Sequence, residues 1–196
     1  MDKHPSQHPA APFDAGFTLI ELMVAIAVVA ILITLAAPSF KSIIQSNAIS
    51  NAVNTFMADM RYARSEAIKR GGRVIMCRSD APEAASPACG SGSGPGGNGW
   101  VSGWIIFYDQ DGNGTRTAAS TDPVLRVQSP ITSVDSIVEA NSTKFLFSGT
   151  GRLQNLASTT TLQFGGGNFP NTTQRVVCVS LSGRVRVAGD GYASCS

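Results

Sequence analysis

The sequence predicts an α+β fold in which a long N-terminal helix carries a β-rich head. Residues 17–37 form an almost unbroken apolar run, which is typical of a helix without a solvated face. Between residues 49 and 67, apolar side chains recur three or four positions apart, which is the spacing of one helix face. After Gly72 this period disappears, and short β-type runs separated by turn residues replace it.

The apolar run at residues 17–37 is long enough to cross a bilayer, because about 20 helical residues span the hydrocarbon core. Its one acidic residue is Glu21. A carboxylate within a membrane is costly, by about 3 kcal/mol, and therefore needs a partner. Cleavage between Gly16 and Phe17 would create an α-amino group about one helical turn from Glu21. That amine is a candidate partner for the Glu21 carboxylate of a neighbouring subunit.

The motif G-FTLIE, followed by an apolar helix, resembles the type III signal of type IV prepilins and type II secretion pseudopilins. The resemblance implies that a prepilin peptidase removes residues 1–16 by cutting after Gly16 and then methylates the amino group of Phe17. It also implies that Glu21 sets register during assembly. Two other interpretations are a conventional signal peptide, which requires a basic start and a small-residue cleavage site, and a plain membrane anchor, which leaves Glu21 without a role.

Residues 38–71 are predicted to continue the helix as its amphipathic half. We expect a kink near Pro38, which lacks the amide hydrogen of the helical ladder, and an end at Gly71-Gly72. The predicted apolar face consists of Ile49, Val53, Phe56, Met60, Ala63 and Ala67.

Two further stretches resemble one particular group of pilins. MADMRYARSEAIKRG at Met57 to Gly71, and GWIIFYDQDGNG from Gly103, are similar to the GspH/FimT group of minor pilins and pseudopilins. This resemblance implies a type IV pilin-like fold, with the long helix packed against the head.

Residues 72–196 are predicted to form a single head domain. The predicted strands are Arg73–Cys77, Trp100–Asp109, Val124–Gln128, Lys144–Phe147, Thr161–Phe164 and Arg175–Leu181. The stretch Gly90–Gly99 reads GSGSGPGGNG, which is too polar and glycine-rich to bury surface, so we predict a mobile loop there.

The chain has four cysteines, which favour disulfides in the oxidising compartment where such a head would lie. Three pairings are possible. We predict Cys77–Cys89 and Cys178–Cys195, because each closes a short local loop and the second fixes the C-terminal tail. A zinc site is the rival interpretation, but the cysteines lack the usual C-x-x-C spacing and have no histidine downstream.

The histidine content argues against an enzyme. His4 and His8 are the only histidines, and both lie in the predicted leader, so the processed chain has none. Serine–histidine and cysteine–histidine nucleophilic sites are thereby excluded, and the remaining carboxylates show no sign of a shared site. We therefore expect no catalytic residues and no cofactor.

The segment Asp109 to Gly114, DQDGNG, begins like a calcium-binding loop, with oxygen donors at positions one, three and five and glycine at six. Position twelve, however, is Ser120 rather than the bidentate glutamate. We therefore predict a hairpin turn after the strand that ends at Tyr108, and no metal site.

Charge is distributed unevenly along the chain. Removal of the leader leaves 14 basic and 11 acidic residues, a net charge of +3. Residues 72–141 carry four arginines and seven acids, whereas residues 142–196 carry five basic residues and one acid. The basic residues of this last segment are Lys144, Arg152, Arg175, Arg184 and Arg186. A local basic surface of this kind suits a phosphate-bearing partner.

The last apolar runs of the chain predict a closing β-hairpin. We predict a three-residue loop over residues 182–184, because this register pairs Leu181 with Val185 and keeps the apolar side chains on one face. A two-residue turn would instead mix charge into that face. In the predicted register Arg184 lies at the tip and Arg186 on the outer face, so both guanidinium groups face solvent.

The sequence Gly183-Arg184-Val185-Arg186 resembles the GRxR motif of FimT-type minor pilins, which bind DNA during natural transformation. The resemblance implies that Arg184, Arg186 and Gly183 form a DNA-binding site. Sequence-independent, salt-sensitive binding is expected, because arginine forks fit phosphate oxygens. Among the other basic residues of this segment, Arg175, Lys144 and Arg152 are further candidates.

Three functions follow from these resemblances. The chain is a minor pilin that starts or caps a type IV pilus, the same subunit with DNA capture added, or a minor pseudopilin of type II secretion. The expected partners are other major and minor pilins, the prepilin peptidase, an inner-membrane assembly platform and DNA. The expected location is the inner membrane, with the head in the periplasm, and then the cell-surface pilus.

Overall fold

The computed structural model describes residues 16–117, 120–139 and 142–195, without the side chains of residues 35–39. Helix α1 runs over Leu19–Arg70. The strands are β1 (Gly72–Arg78), β2 (Trp104–Tyr108), β3 (Val124–Gln128), β4 (Ser136–Glu139), β5 (Lys144–Ser148), β6 (Thr160–Gly165), β7 (Arg175–Val179) and β8 (Val185–Gly189). This order of elements confirms the predicted α+β class.

The chain divides into two compact units, Met1–Lys41 and Ser42–Ser196. In the first unit, the part of α1 up to residue 34 exposes large apolar side chains, such as Ile20, Leu22 and Ile26. Within the ranges that the structure describes, we find no helix with the length and apolarity needed to cross a membrane. The transmembrane segment predicted for residues 17–37 stays a prediction.

Two further predictions for the first unit fall outside what the structure describes. Residues 1–15 of the predicted leader lie outside the described residues. The side chain of Pro38 does so too, so the predicted kink stays a prediction.

The second unit contains two four-stranded sheets. The strand order is β3-β2-β1-β5 in the first sheet and β4-β6-β7-β8 in the second. Every pairing within them is antiparallel. Because β2 pairs with β3 along the chain, the segment after Tyr108 is a hairpin connection, as predicted.

The core lies between the second half of α1 and the two sheets. The predicted apolar face of the helix is buried throughout, from Ile49 to Ala67. Phe56 lies at its centre, where its ring makes edge contacts with Trp104 at 5.5 Å and with Phe164 at 5.7 Å between centroids. Since Trp104 belongs to the first sheet and Phe164 to the second, one side chain of the helix joins both sheets. Such aromatic pairs add about 1 kcal/mol each beyond their buried area.

One strand was missed, and one predicted strand began too early. Strand β4 was not predicted, because four residues without clear alternation give little periodic signal. Strand β2 begins at Trp104 rather than Trp100, since Trp100–Ser102 forms a 3-10 turn. This turn is bounded by Gly99 and Gly103, which both adopt positive φ angles that break an extended strand.

The glycine-rich segment 90–99 is held by a contact that the sequence analysis did not predict. The guanidinium group of Arg78 is buried and donates a 2.6 Å hydrogen bond to the carbonyl oxygen of Ser91. It also forms an ion pair with Asp80. A side chain at Gly90 or Gly94 would collide with this guanidinium group, so the glycines let the loop wrap around it. The loop is thus anchored to β1 through Arg78, and its predicted mobility stays a prediction.

Both disulfides join the pairs predicted from the sequence. Cys77 of β1 bonds to Cys89, and Cys178 of β7 bonds to Cys195, with Cα–Cα distances of 5.5 and 5.6 Å. The second bond ties the C-terminal tail to the strand that leads into the β7–β8 hairpin. In the chain-entropy model, a closure of this length is worth about 3 kcal/mol.

Candidate functional site

The candidate site is the tip of the β7–β8 hairpin. Ser180 pairs with Arg184 through a 3.0 Å bond from its amide nitrogen to the Arg184 carbonyl oxygen, so the loop consists of residues 181–183. The predicted pairing of Leu181 with Val185 is therefore wrong, and Val179 pairs with Val185 instead. The loop length was predicted correctly, but its position along the chain was not.

Gly183 explains this register. Its φ angle is +73°, in the left-handed region, and its amide donates to the Ser180 carbonyl oxygen at 2.9 Å. In a three-residue hairpin loop, the left-handed residue follows the type I turn and takes the last loop position. Glycine adopts this conformation most readily, so Gly183 fixes the loop at 181–183.

Gly183 also lets the hairpin tip approach the turn that follows β5. A Cβ atom at residue 183 would lie only 2.2 Å from the carbonyl oxygen of Gly151. The backbone of Leu181 adds a hydrogen bond to this contact, because its carbonyl oxygen accepts from the amide of Leu153 at 2.9 Å. The tip is thus docked on the head rather than free in solvent.

The two arginines of the hairpin point away from this docked backbone. Arg184 and Arg186 are both exposed, and no hydrogen bond or ion pair of their side chains to another described residue is present. Arg186 lies opposite Cys178, on the face of the sheet that carries the Cys178–Cys195 disulfide. The hairpin therefore presents two positive charges from a backbone that is fixed by a disulfide and by the contact with Gly151.

The N-terminal motif has a local structure of its own. Thr18 caps the start of α1, because its Oγ1 accepts a 3.3 Å hydrogen bond from the amide of Glu21. In return, Oε2 of Glu21 accepts from the amide of Thr18 at 3.4 Å. This reciprocal pair is a capping box, and the spacing Thr-x-x-Glu was its sequence signal. Gly16 and Phe17 precede it and are exposed.

Two known protein families match separate ranges of this chain. Residues 52–183 match the family described as type II transport protein GspH. The chain belongs to the GspH family. Residues 13–37 match the prokaryotic N-terminal methylation motif, which covers Gly16, Phe17 and Glu21. Comparison with curated proteins gives no match.

Solved structures show the same fold as this GspH-family chain. The type IV minor pilin FimU of Pseudomonas aeruginosa, in space group P21, aligns with a TM-score of 0.52 at 19% identity. That alignment covers 76% of the GspH-family chain and 95% of the FimU chain. A second crystal form of FimU, P65, has a TM-score of 0.47 at 19% identity and covers 75% and 98% of the two chains. The alignment with the P21 form confirms the type IV pilin-like fold predicted from the sequence.

Motif and family together give the GspH-family chain a general role. It is a structural subunit of the pilin and pseudopilin class that assembles with other subunits after processing by a peptidase. The motif and the family imply a membrane-anchored precursor that later joins a pilus-type fibre.

The remaining basic candidates of the GspH-family chain differ in whether their side chains are hydrogen-bonded within the protein. Lys144 donates a 2.8 Å hydrogen bond to the carbonyl oxygen of Gly114, and Arg175 donates to three carbonyl oxygens of residues 172–174. Both are therefore occupied by the protein's own backbone. Arg152 is exposed and directly follows Gly151, so it lies at the same end of the head as the hairpin tip.

Two other basic residues, which were not predicted from the sequence, lie at the site. Arg61 and Arg64, on helix α1, line a groove together with Arg184. Both were expected on the outward side of the amphipathic helix, where they were given no role in binding. Two arginines one turn apart on the same side of the helix were the available signal.

The segment Asp109 to Gly114 forms a turn built on one buried carboxylate. Asp109 accepts hydrogen bonds from the amides of Gly112 at 3.0 Å and of Gly114 at 3.1 Å. Burial raises the pKa of Asp109, and the neighbouring Asp111 adds to this rise. Asp122 joins these two, so that single oxygens of all three lie within 4.8 Å of one another. Asp122 was not foreseen, because it lies eleven residues beyond Asp111.

Proposed function

We propose that this chain is a minor type IV pilin whose β7–β8 hairpin binds extracellular DNA, without sequence preference, for uptake in natural transformation. One observation carries the proposal: Arg184 and Arg186 are exposed, lack a partner among the described side chains, and stand on a fixed hairpin. A guanidinium group that is not engaged within its own protein keeps all its donors for phosphate oxygens.

The rigidity of the hairpin supports binding by a few residues. Ordering a mobile loop on binding would cost about 1 kcal/mol for each residue that is fixed. Here the Cys178–Cys195 disulfide and the docking of Gly183 against Gly151 have already ordered the backbone. Only the two arginine side chains have to be immobilised when they meet phosphate.

In this function the subunit passes through a defined order of events. The precursor is anchored in the inner membrane through residues 17–37, with its head in the periplasm. The prepilin peptidase cuts after Gly16 and methylates Phe17, and the assembly platform then inserts the subunit among other major and minor pilins. Glu21 pairs with the new amino group of a neighbouring subunit. The head thereby reaches the cell surface, where DNA is accessible to Arg184 and Arg186.

A second candidate function is a minor pseudopilin of type II secretion. It is favoured by the description of the matched family as a type II transport protein. The likeness to FimU, which is described as a type IV minor pilin, supports the pilus through the fold alone. Deletion of the chain separates the two: loss of surface pili supports the first function, and loss of protein export with intact pili supports the second. If the chain is a minor pilin that only primes assembly, its deletion would also abolish surface pili, but the chain itself would not bind DNA.

DNA binding is tested on the full-length chain in non-ionic detergent by fluorescence polarisation, with two labelled duplexes of unrelated sequence. The variant Arg184→Gln/Arg186→Gln is compared with Lys144→Gln/Arg175→Gln, which removes the same charge from residues engaged with the backbone. We expect the hairpin variant to lose about tenfold or more in affinity for both duplexes, because it loses two charge-assisted contacts. Equal losses in both variants, or no binding by the parent, would exclude the hairpin as the DNA site.

A further inference from the structure

A groove of about 440 Å³ lies between helix α1 and the hairpin tip. Its lining consists of Arg61, Arg64, Ser65, Ile68, Gly183, Arg184 and Val185. Three of these seven residues are arginines, and none is acidic. The groove therefore brings Arg184 of the proposed DNA site next to two arginines from a distant part of the sequence.

Arg64 is the most constrained of the three arginines. Its side chain is half-buried against the turn after β5, where a Cβ atom at Gly151 would lie 2.7 Å from Nε of Arg64. This Nε atom is buried and has no hydrogen-bond partner among the described residues. A buried guanidinium N–H without an acceptor is unfavourable, by about 1 to 3 kcal/mol. Since Nε itself is buried, an anion in the groove would contact the other atoms of this lining residue.

The helix alone does not explain why Arg61 and Arg64 are basic. Cations near a helix C-terminus are favoured by the macrodipole, but this effect falls off within the last turn. Lys69 and Arg70 occupy that turn, and both pair with Glu66, at 3.6 and 2.8 Å. Arg61 and Arg64, by contrast, are like charges one turn apart without a described acidic partner, which slightly destabilises a helix.

We infer that this groove is a phosphate-binding seat, in which Arg61 and Arg64 of the helix join Arg184 in contacting the DNA backbone. The inference rests on the proposed function, which names DNA as the ligand of the hairpin. The DNA interface then extends from the hairpin onto the helix. The groove recognises the DNA backbone by charge and guanidinium geometry. It therefore adds affinity and salt dependence but no sequence preference.

The test compares double variants of the full-length chain in detergent by polarisation titrations at several salt concentrations. Arg61→Gln/Arg64→Gln removes the helix side of the seat. Lys69→Gln/Arg70→Gln removes the same charge from the same helix outside the groove and serves as the matched control. Arg61→Gln alone is included, because Arg61 is exposed and its replacement cannot leave a buried gap. Thermal unfolding of each variant shows whether the head remains folded.

We expect the groove variant to bind both duplexes about tenfold or more weakly, and the slope of log affinity against log salt to fall by about 0.9 per lost phosphate contact. For Arg61→Gln alone, the slope should fall by about 0.9, which corresponds to one lost phosphate contact. The inference is wrong if the groove variant and the control lose equal affinity, or if neither loses any, while the hairpin variant still weakens binding. That result would leave the proposed function intact. A parent chain that binds no DNA would exclude both.

Discussion

Nε1 of Trp104 donates a 2.8 Å hydrogen bond to Oδ2 of Asp59 in the core of the head. Both residues are fully buried. On the other side of the carboxylate, Nε of Arg126 lies 3.0 Å from Oδ1, and its guanidinium group also lies over the ring of Tyr62. Because Asp59 belongs to α1, Trp104 to β2 and Arg126 to β3, this polar group fixes the register of the helix on the first sheet.

Replacement of Asp59 by alanine is expected to lower the free energy of unfolding by about 2 to 3 kcal/mol, because the buried Trp104 N–H loses its acceptor. Asp59→Asn is the matched variant, since its amide oxygen can still accept this bond, and it should cost clearly less. Chemical denaturation followed by tryptophan fluorescence measures both. Equal losses in the two variants would mean that the hydrogen bond is not what stabilises this contact.

The same carboxylate gives a pH prediction. Burial raises the pKa of Asp59 above the ordinary aspartate value of about 3.9, and the contacts with Trp104 and Arg126 offset only part of this rise. The folded state therefore holds the proton more tightly than the unfolded state. The contribution to stability is fully present below about pH 4 and is lost as the pH rises through the raised pKa.

The measurement for this pH prediction is the difference in free energy of unfolding between the parent and Asp59→Asn. The parent should lose stability relative to Asp59→Asn as the pH rises from about 4 toward neutral. Groups common to both proteins, such as Asp109, cancel in it. A difference that is flat or that moves in favour of the parent would contradict the raised pKa.

Gly183→Ala should destabilise the hairpin by at least about 1 to 2 kcal/mol, since a left-handed conformation is unfavourable for alanine and the new Cβ would collide with the Gly151 carbonyl oxygen. Gly167→Ala is the control, because a Cβ there meets nothing within 4 Å. Thermal unfolding should separate the two variants. Equal unfolding midpoints for the two variants would contradict the docking of the hairpin tip on the head.

Glu21 forms the capping box and, in the proposed function, also pairs with a neighbouring subunit, and two substitutions can separate these contributions. Glu21→Gln keeps an oxygen for the capping box but removes the charge, whereas Glu21→Ala removes both. We expect both variants to assemble poorly into surface fibres, because the proposed partner of Glu21 is the amino group of a neighbouring subunit. Amide exchange at the start of the helix should increase only in Glu21→Ala. Immunoblots of sheared fibres test assembly, and normal assembly of Glu21→Gln would rule out the charge pairing.

Periodicity predicted the large elements of this fold well. The helical face from Ile49 to Ala67 was placed correctly because its apolar residues recur every three or four positions. Strand β3 at Val124–Gln128 was placed correctly because turn residues bound its β-type run on both sides. Strand β4 was not predicted, because its extended conformation depends on pairing with β6, which is a contact between distant segments.

The site was harder to predict because it depends on approaches between distant segments. The docking of Gly183 on Gly151 joins distant segments, and no local pattern announces that contact. Arg61 and Arg64 likewise join Arg184 only after the helix and the hairpin have packed together. The hairpin register had a local signal that the prediction did not use, the glycine at the last position of a three-residue loop. The exposed arginines of the GRVR motif, in contrast, could be named from the sequence, because charge needs no distant partner to stay at the surface.

The salt dependence of DNA binding tests the central claim most directly. For the full-length chain, the slope of log affinity against log salt reports the number of phosphates contacted, at about 0.9 per contact. We predict that Arg184→Gln/Arg186→Gln reduces this slope by up to about two units, while Lys144→Gln/Arg175→Gln leaves it unchanged. An unchanged slope in the hairpin variant would contradict DNA binding through Arg184 and Arg186.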